Sequence, residues 1–253
     1  MHIIHNKMKS RLNICATIEA RMSSKRLPGK VLLPIQKVSM LKFIISRLKL
    51  SKKVQKIIVA TTNRNEDKVI QNFCKEWKVH CYAGSSDNII SRLLNATHVF
   101  KSDLIVQTTG DNPFVDPKLI DYGIEIYLRN DYDYVCNHLK KTFPLGLEVK
   151  IFSRATLAKA DKLVKNKFDK QHGSSFIYNN PKLFKVFNFV CKEKRVHDLR
   201  LTVDEPEDYE TVNQIVSKIN KKNFCYKEII KIAKKYPEVL KNKKIKQKKI
   251  ADG

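Results

Sequence analysis

The amino-acid sequence predicts an α/β fold of three layers, in which helices cover both faces of a mostly parallel, twisted sheet. Short apolar runs rich in β-branched residues alternate with segments whose apolar residues recur at every third or fourth position. Such alternation is typical of parallel sheets that are buried on both faces. The 253 residues contain no internal repeat and no linker rich in Gly, Ser or Pro, which favours a single domain.

The elements of the first half follow one another regularly. Apolar runs predict strands over residues 13–17, 56–61, 79–83 and 104–108, and helical spacing predicts helices over 40–50, 65–76 and 87–100. A further helix is predicted to begin at Asp116 and Pro117, because proline suits the first turn of a helix. In parallel sheets, ligands bind beyond the carboxyl ends of the strands.

The second half is less regular. Strands are predicted over residues 132–137, 147–152 and 183–190, and helices over 154–163, from Pro206 to about 219, and over 226–236. The domain is therefore assigned to residues 12–238. Residues 1–11 are expected to form a disordered extension, and residues 239–253 a basic tail dense in lysine.

Charge and cysteine content bound the class of protein. The net charge is +25, but 40 of the 50 basic residues are lysines spread along the chain, which indicates compositional bias more than a nucleic-acid surface. Nucleic acid is therefore not an expected partner. The six cysteines include no Cys-x-x-Cys pair, which favours a cytoplasmic protein, and no apolar run is long enough to cross a bilayer.

A basic loop follows the first predicted strand. Residues 20–30 read ARMSSKRLPGK and combine two arginines, two lysines, two hydroxyls and a glycine. A polyphosphate needs several donors and positive charges on a backbone that can bend close to it. The spacing matches neither the P-loop nor the dinucleotide-binding glycine motif. The sequence therefore predicts a phosphate-binding loop of another kind.

Two aspartates are candidate metal ligands. Asp111 follows a predicted strand through Thr109 and Gly110, and Asp204 precedes a predicted helix. Carboxylates are the protein ligands that Mg²⁺ prefers, together with phosphate oxygens of a substrate. Each aspartate also has a structural interpretation, Asp111 in an Asp-Asn-Pro turn and Asp204 as an acidic residue at a helix N-terminus.

Five short motifs occur in order within residues 12–220. They read ARxxSxRLPGK at 20–30, VAT at 59–61, GSxxN at 84–88, TGDxP at 109–113 and LTVDxPED at 201–208. Through them the sequence resembles the cytidylyltransferases that activate sugar acids, such as the Kdo and acylneuraminate enzymes, and most closely the spore-coat polysaccharide biosynthesis branch. The resemblance implies a nucleotide-diphospho-sugar transferase-like fold, a homodimer, and Mg²⁺-dependent transfer of CMP from CTP to a small sugar-acid acceptor with release of pyrophosphate, for surface polysaccharide or glycan biosynthesis.

The resemblance also implies roles for matching residues. The nucleotide would be bound by Arg21, Ser24, Lys25, Arg26, Lys30, Ser85 and Thr109. Arg21, Lys30, Asp111 and Asp204 would be catalytic, with Mg²⁺ held by the two aspartates. Glu148, His172 and Arg200 would contact the acceptor. Glu19 and Gln107 depart from the family pattern, in which a neutral residue and an arginine are frequent at these positions.

Three alternatives stay open. The first two are a related nucleotide-sugar pyrophosphorylase and a glycosyltransferase, whose Asp-x-Asp metal motif has the spacing of Asp131 and Asp133. The third is a basic protein that binds nucleic acid or other anions without catalysis. The products of the reaction separate the first two from a cytidylyltransferase, and salt-sensitive binding without turnover would indicate the third.

Overall fold

The computed structural model describes residues 12–193, 196–221 and 223–245. Nine strands lie in these ranges: β1 Ile14–Glu19, β2 Pro34–Ile35, β3 Val38–Ser39, β4 Lys56–Thr62, β5 His80–Gly84, β6 Leu104–Thr109, β7 Tyr134–Cys136, β8 Lys150–Ser153 and β9 Val186–Asn188. The described α-helices are α1 Met40–Leu48, α2 Lys68–Glu76, α3 Ile89–Val99, α4 Pro117–Arg129, α5 Arg154–Leu163, α6 Lys167–Gln171, α7 Ser175–Asn179, α8 Pro206–Ser217 and α9 Tyr226–Lys235.

Seven of the strands form one sheet in the order β5-β4-β1-β6-β8-β7-β9. β1 pairs in parallel with β4 and β6, β4 with β5, and β7 with β9. Only β8 runs antiparallel to its neighbours β6 and β7 in this sheet. The predicted, mostly parallel α/β architecture is confirmed. The carboxyl ends of β1, β4, β5 and β6 consequently meet at one edge, which is where a ligand would bind.

Both faces of the sheet are buried, as the apolar runs predict. Alternate residues of β1 belong to different apolar clusters, with Ala16 and Ile18 in one and Cys15 in the other. Helices α1, α4 and α8 supply the first cluster, and α3 and α5 supply the second. Side chains alternate across a strand, so each face packs against its own layer of helices. No helix in the described ranges has both the length and the apolarity needed to cross a membrane.

Some elements differ from their predicted bounds. The predicted helix 65–76 begins as the 3-10 turn Asn65–Asp67 and becomes α-helical at Lys68. The predicted strand 183–190 shortens to β9, because the strand it pairs with, β7, offers only three residues. The helix predicted at Asp116 does begin there, and the Asp116 carboxylate accepts hydrogen bonds from the N–H groups of Lys118 and Leu119.

The two predicted terminal segments lie partly outside the described ranges. Residues 1–11 and 246–253 are not described. The chain remains packed on the domain beyond residue 238, where the tail was predicted to begin. Val239 is buried, and Asn242 Nδ2 donates to the Arg200 carbonyl at 2.9 Å and to Asp208 Oδ1 at 2.8 Å.

Candidate active site

The basic loop of residues 20–30 follows the carboxyl end of β1, and hydrogen bonds to Met22 hold its two ends together. The Met22 carbonyl accepts hydrogen bonds from the N–H groups of Ser24 and Gly29, both at 2.9 Å. Gly29 has a φ of 70°, a left-handed conformation that glycine adopts without a steric penalty. This closure brings the buried side chain of Lys30 into the fold at the start of the 3-10 turn Lys30–Leu32.

Lys30 joins the two candidate metal ligands. Its Nζ lies 2.8 Å from Asp204 Oδ1 and 3.2 Å from Asp111 Oδ2, and donates to the Val203 carbonyl at 2.7 Å. Asp111 follows β6 and Asp204 precedes α8, and the Val203 N–H donates to the Asp111 carbonyl at 2.8 Å. Residues distant in sequence therefore meet at the carboxyl edge of the sheet.

Two arginines add positive charge around Asp204. Arg26 Nη2 lies 3.2 Å from Asp204 Oδ1, and Arg200 Nη2 lies 3.1 Å from Asp204 Oδ2. Burial by itself would raise the pKa of Asp204, but the charges of Lys30, Arg26 and Arg200 outweigh burial and lower that pKa. Asp204 is therefore a carboxylate at neutral pH.

Arg200 is itself held in place by a buried carboxylate. Asp208 is fully buried, and its two oxygens accept from Arg200 Nε at 2.8 Å and Nη2 at 3.0 Å. Burial would raise the pKa of Asp208, yet these bonds, with those from Asn242 and the N–H groups of residues 204 and 205, lower it. The paired geometry keeps the Arg200 guanidinium at Asp204.

A cavity of about 390 Å³ opens beside these groups. Most of its lining comes from residues 109–112 and 200–204 and from the connection between β7 and β8. The lining residues are Arg26, Thr109, Asp111, Asn112, Asn137, His138, Lys141, Phe143, Pro144, Leu145, Glu148, Lys150, Tyr178, His197, Arg200, Thr202 and Asp204. A cavity of this size suits a small polar ligand with its reacting group near the aspartates.

Glu148 lies on this cavity, close to the strand end that carries Asp111. Its Oε2 accepts from the Gly146 N–H at 2.9 Å and from Asn112 Nδ2 at 3.3 Å. Burial raises the pKa of Glu148, although the Lys150 charge and the Gly146 N–H oppose the rise. Glu148 can therefore hold an acceptor hydroxyl through an oxygen oriented by the backbone.

The structure divides the predicted nucleotide-binding residues into two groups. Arg26 and Thr109 line the cavity. The others lie on loops at the same edge of the sheet: Arg21, Ser24, Lys25 and Lys30 follow β1, and Ser85 follows β5. The Ser85 hydroxyl accepts from the N–H groups of residues 87 and 88, which shapes the turn into α3.

Of two histidines in this region, the one implied to contact the acceptor, His172, does not line the cavity, whereas His138 does. His172 Nδ1 lies 2.7 Å from the Phe168 carbonyl and its ring stacks on Phe168, so it caps α6 and is not one of the residues lining the cavity. His138 does line the cavity, with its ring edge-on to Tyr178 at 5.1 Å. Sequence reasoning missed His138, and its only signal was a position directly after a predicted strand.

Two further sequence features find structural explanations. Asp131 Oδ2 accepts from Lys185 Nζ and Asp133 Oδ2 from the Lys185 N–H, so this pair fastens β9 beside β7 and does not line the cavity. Glu19 and Gln107, which both depart from the family pattern, contact one another, because Gln107 Nε2 donates to Glu19 Oε1 at 2.5 Å. The amide thus compensates the carboxylate at the end of β1.

Asp111 and Asp204 fit a divalent cation. Asp111 and Asp204 direct one oxygen each at a single point, the Lys30 ammonium, so their arrangement already accommodates a positive charge. Among the described residues no cluster of three or more His, Cys, Asp or Glu side chains could hold a metal alone. A hard cation with two carboxylates completes its shell with water and phosphate oxygens, which suits Mg²⁺.

The chain is similar over most of its length to a known protein family and to individual proteins. The family model described as cytidylyltransferase matches residues 15–249. An uncharacterized protein of Methanocaldococcus jannaschii is 37% identical over 229 residues, covering 90% of this chain and 93% of that protein. The spore coat polysaccharide biosynthesis protein SpsF of Bacillus subtilis is 29% identical over 236 residues, covering 89% and 96%.

Two further comparisons bear on the chemistry and the fold. The 8-amino-3,8-dideoxy-manno-octulosonate cytidylyltransferase of Shewanella halifaxensis is 27% identical over 163 residues, covering 58% of this chain and 66% of that enzyme. The solved structure of a cytidylyltransferase from Leptospira borgpetersenii superposes with a TM-score of 0.88 at 32% identity, covering 94% of this chain and all of that one.

Proposed function

The chain belongs to the cytidylyltransferase family, and we propose that it transfers CMP from CTP to a hydroxyl group of a sugar acid with release of pyrophosphate. The names of the Bacillus and Shewanella relatives support this acceptor class and a role in making surface polysaccharide or glycan. The family resemblance also supports a homodimer, and the cysteine usage a cytoplasmic location.

The observation that carries the proposal is the meeting of Lys30 with Asp111 and Asp204, two of the residues that line the cavity. One ammonium within 3.2 Å of both carboxylates makes a charged centre between the basic loop and a pocket for a second, small substrate. A triphosphate on the loop and an acceptor in the pocket would place their reacting atoms at this centre. Binding two reactants side by side removes much of the entropic barrier to their reaction.

In the proposed reaction the acceptor hydroxyl oxygen bonds to the α-phosphorus of CTP and its proton passes to solvent, while the bond from that phosphorus to the bridging oxygen breaks and pyrophosphate leaves with the bonding electrons. Such a transfer needs positioning and neutralisation of charge more than covalent chemistry from the protein. Arg21, Ser24, Lys25, Arg26 and Lys30 would bind the triphosphate. One cation about 4 Å from a phosphate oxygen contributes about 4 kcal/mol at an effective dielectric constant near 20.

Asp111 and Asp204 would hold Mg²⁺, which would neutralise charge on the phosphate oxygens when bound. The acceptor side would be formed by Glu148 and Arg200, and by Lys150. In the described residues neither Lys141 nor Lys150 lies within ion-pairing distance of a carboxylate, so both are available to an acidic acceptor. Their charge supports a sugar acid over a neutral sugar.

The test is to incubate the protein with CTP, Mg²⁺ and a panel of sugar acids and to measure pyrophosphate. Asp111→Asn and Asp204→Asn should each lower the rate by about a hundredfold or more, since each removes a charge from the reacting centre. Asp131→Asn is the control, because it alters an exposed ion pair with Lys185 and should leave the rate unchanged.

Adding sugar phosphates and nucleotide sugars to the panel, and titrating nucleic-acid binding with salt, separates the alternatives. Full activity of both folded aspartate variants would contradict the proposed centre. A nucleoside diphosphate as product would indicate a glycosyltransferase, and pyrophosphate formed only with a sugar phosphate would indicate a pyrophosphorylase. The non-catalytic alternative would be indicated if the protein showed no turnover and bound nucleic acid with an affinity that falls steeply with salt. Replacing Asp111 would then leave that affinity unchanged.

A further inference from the structure

Asp67 is a fully buried carboxylate that the proposed chemistry does not use. It closes the 3-10 turn Asn65–Asp67 between β4 and α2, and does not line the cavity. In the part of the chain that the structure describes, no lysine, arginine or histidine lies within ion-pairing distance of it. Arg92 interacts with Asp67 only at longer range than an ion pair, so hydrogen bonds must offset much of the cost of burying this carboxylate.

The bonds that Asp67 accepts connect it to the basic loop. Its Oδ1 accepts from the Met22 N–H at 2.7 Å, and its Oδ2 accepts from the hydroxyl of Thr62 at the end of β4. Hydrogen bonds to an ionised acceptor are shorter and about twice as strong as neutral ones. The Met22 N–H is therefore held by a residue 45 positions away in the sequence.

Met22 is also the residue on which the loop closes. Its carbonyl accepts from Ser24 and from Gly29, so one residue ties both limbs of the loop together while its own N–H is held by Asp67. Gly29 precedes Lys30, whose ammonium reaches Asp111 and Asp204. A continuous series of contacts thus runs from Asp67 through Met22 and Gly29 to the charged centre.

We propose that Asp67 is a positioning residue for the basic loop, holding the Met22 backbone so that the loop presents its cations in a fixed arrangement to a triphosphate. The role as a triphosphate site rests on the proposed function, whereas the restraint on the loop does not. A purely structural carboxylate would affect the stability of the whole domain. Loss of a positioning carboxylate would instead loosen the loop while leaving the rest of the domain folded.

The test compares Asp67→Ala with Asp67→Asn and with Asp116→Ala. Asparagine can still accept from the Met22 N–H and can donate to Thr62, so it should rescue the loop. Asp116 is the matched control, since it is also buried and accepts backbone N–H groups, but from residues 118, 119 and 226. The first readout is limited trypsin digestion, because Arg21, Lys25 and Arg26 provide cleavage sites within the loop.

Asp67→Ala should speed cleavage within residues 21–26 about tenfold or more, the equivalent of losing a hydrogen bond to a charged group. It should also raise the KM for CTP by a similar factor with a smaller change in kcat, and Asp67→Asn should leave both within about threefold of wild type. Asp116→Ala should lower the melting temperature without favouring the loop sites.

Wild-type rates of loop cleavage in folded Asp67→Ala would overturn the proposal. If Asp67→Ala does not fold, hydrogen exchange of the wild-type Met22 amide decides, since slow exchange is expected and an unprotected rate would overturn the proposal. Faster loop cleavage in Asp67→Ala, together with no pyrophosphate from any sugar acid in the wild type, would support the restraint and contradict the proposed function.

Discussion

Lys30 solves an electrostatic problem at the scale of single residues. Two carboxylates that share a site ordinarily repel, and the pKa of one of them rises. Here the Lys30 ammonium lies between Asp111 and Asp204, and the pKa of Asp204 is lowered although the residue is partly buried. The Asp204 carboxyl is therefore ionised before any metal or nucleotide binds.

Replacing His138 by phenylalanine should remove a loss of stability at acid pH. Burial, and to a lesser extent the Lys150 charge, lowers the pKa of His138 to about 3 from the ordinary 6.5. Between these values the unfolded chain binds a proton that the folded chain does not. Protonation of His138 in the unfolded chain therefore does not reduce the wild-type free energy of unfolding above pH 6.5. Below that pH it reduces this free energy by up to about 1.4 kcal/mol per pH unit.

Urea unfolding between about pH 7 and pH 5 measures this effect. The free energy of unfolding of His138→Phe, minus that of the wild type, should become more positive as the pH falls. His80→Phe is the control, because His80 is exposed in the folded chain and its replacement should leave the pH dependence unchanged. A constant difference between His138→Phe and the wild type would mean that His138 takes up its proton while folded.

The histidines also show which site residues sequence reasoning can find. Lys30, Asp111 and Asp204 were predictable because each belongs to a recognisable motif, although their common meeting point was not. His138 and His172 look alike in the sequence, since neither has a local partner. The two histidines differ in their surroundings, because His138 packs against Tyr178 and lines the cavity whereas His172 does not. Such surroundings depend on the three-dimensional fold.

At the scale of elements, the turn before β8 depends on Gly146. It has a φ of 98°, and a Cβ there would lie 2.6 Å from the Thr202 backbone nitrogen. Gly146→Ala should therefore destabilise the fold by about 2–3 kcal/mol, because backbone cannot move aside and the conformation is unfavourable for alanine. Denaturant unfolding measures the change.

Gly84→Ala is the matched control for this turn. The atoms closest to a Cβ at Gly84 belong to side chains, Tyr82 Cε1 at 2.7 Å and Arg92 Cγ at 3.1 Å, so no backbone atom would have to move. Its cost should stay below about 1 kcal/mol. Equal losses for the two variants would contradict a backbone origin of the Gly146 requirement.

The elements differ in how well the sequence predicts them. β1, β4 and β6 are found within two residues of their ends, because each is an unbroken apolar run buried on both faces. The hairpin of β2 and β3 was not predicted. Its two turn residues, Gln36 and Lys37, have φ values of 49° and 73° without the Asn or Gly that signals such turns.

At the scale of the whole molecule, the strand order explains the position of the acceptor side. Four neighbouring parallel strands bring the basic loop and Asp111 to one edge. β8 runs in the opposite direction, and its first residue, Lys150, pairs with Gln107 near the carboxyl end of β6. The reversal brings Glu148 and Lys150 to that same edge, so the antiparallel strand completes the cavity.

The excess of positive charge predicts that salt stabilises the whole molecule. A net charge of +25 makes the folded chain repel itself, and salt screens this repulsion. Raising NaCl from about 0.05 M to 0.5 M should raise the melting temperature by about 5 °C.

Part of this repulsion arises on helix α9, where Lys227, Lys231 and Lys235 are exposed and spaced four residues apart. Lys231→Glu turns two repulsive pairs into attractive ones, which should add about 1 kcal/mol at low salt and reduce the salt dependence. Lys231→Gln, which only removes a charge, should give an intermediate result, and a melting temperature that falls with NaCl would show that attractive pairs outweigh the repulsion.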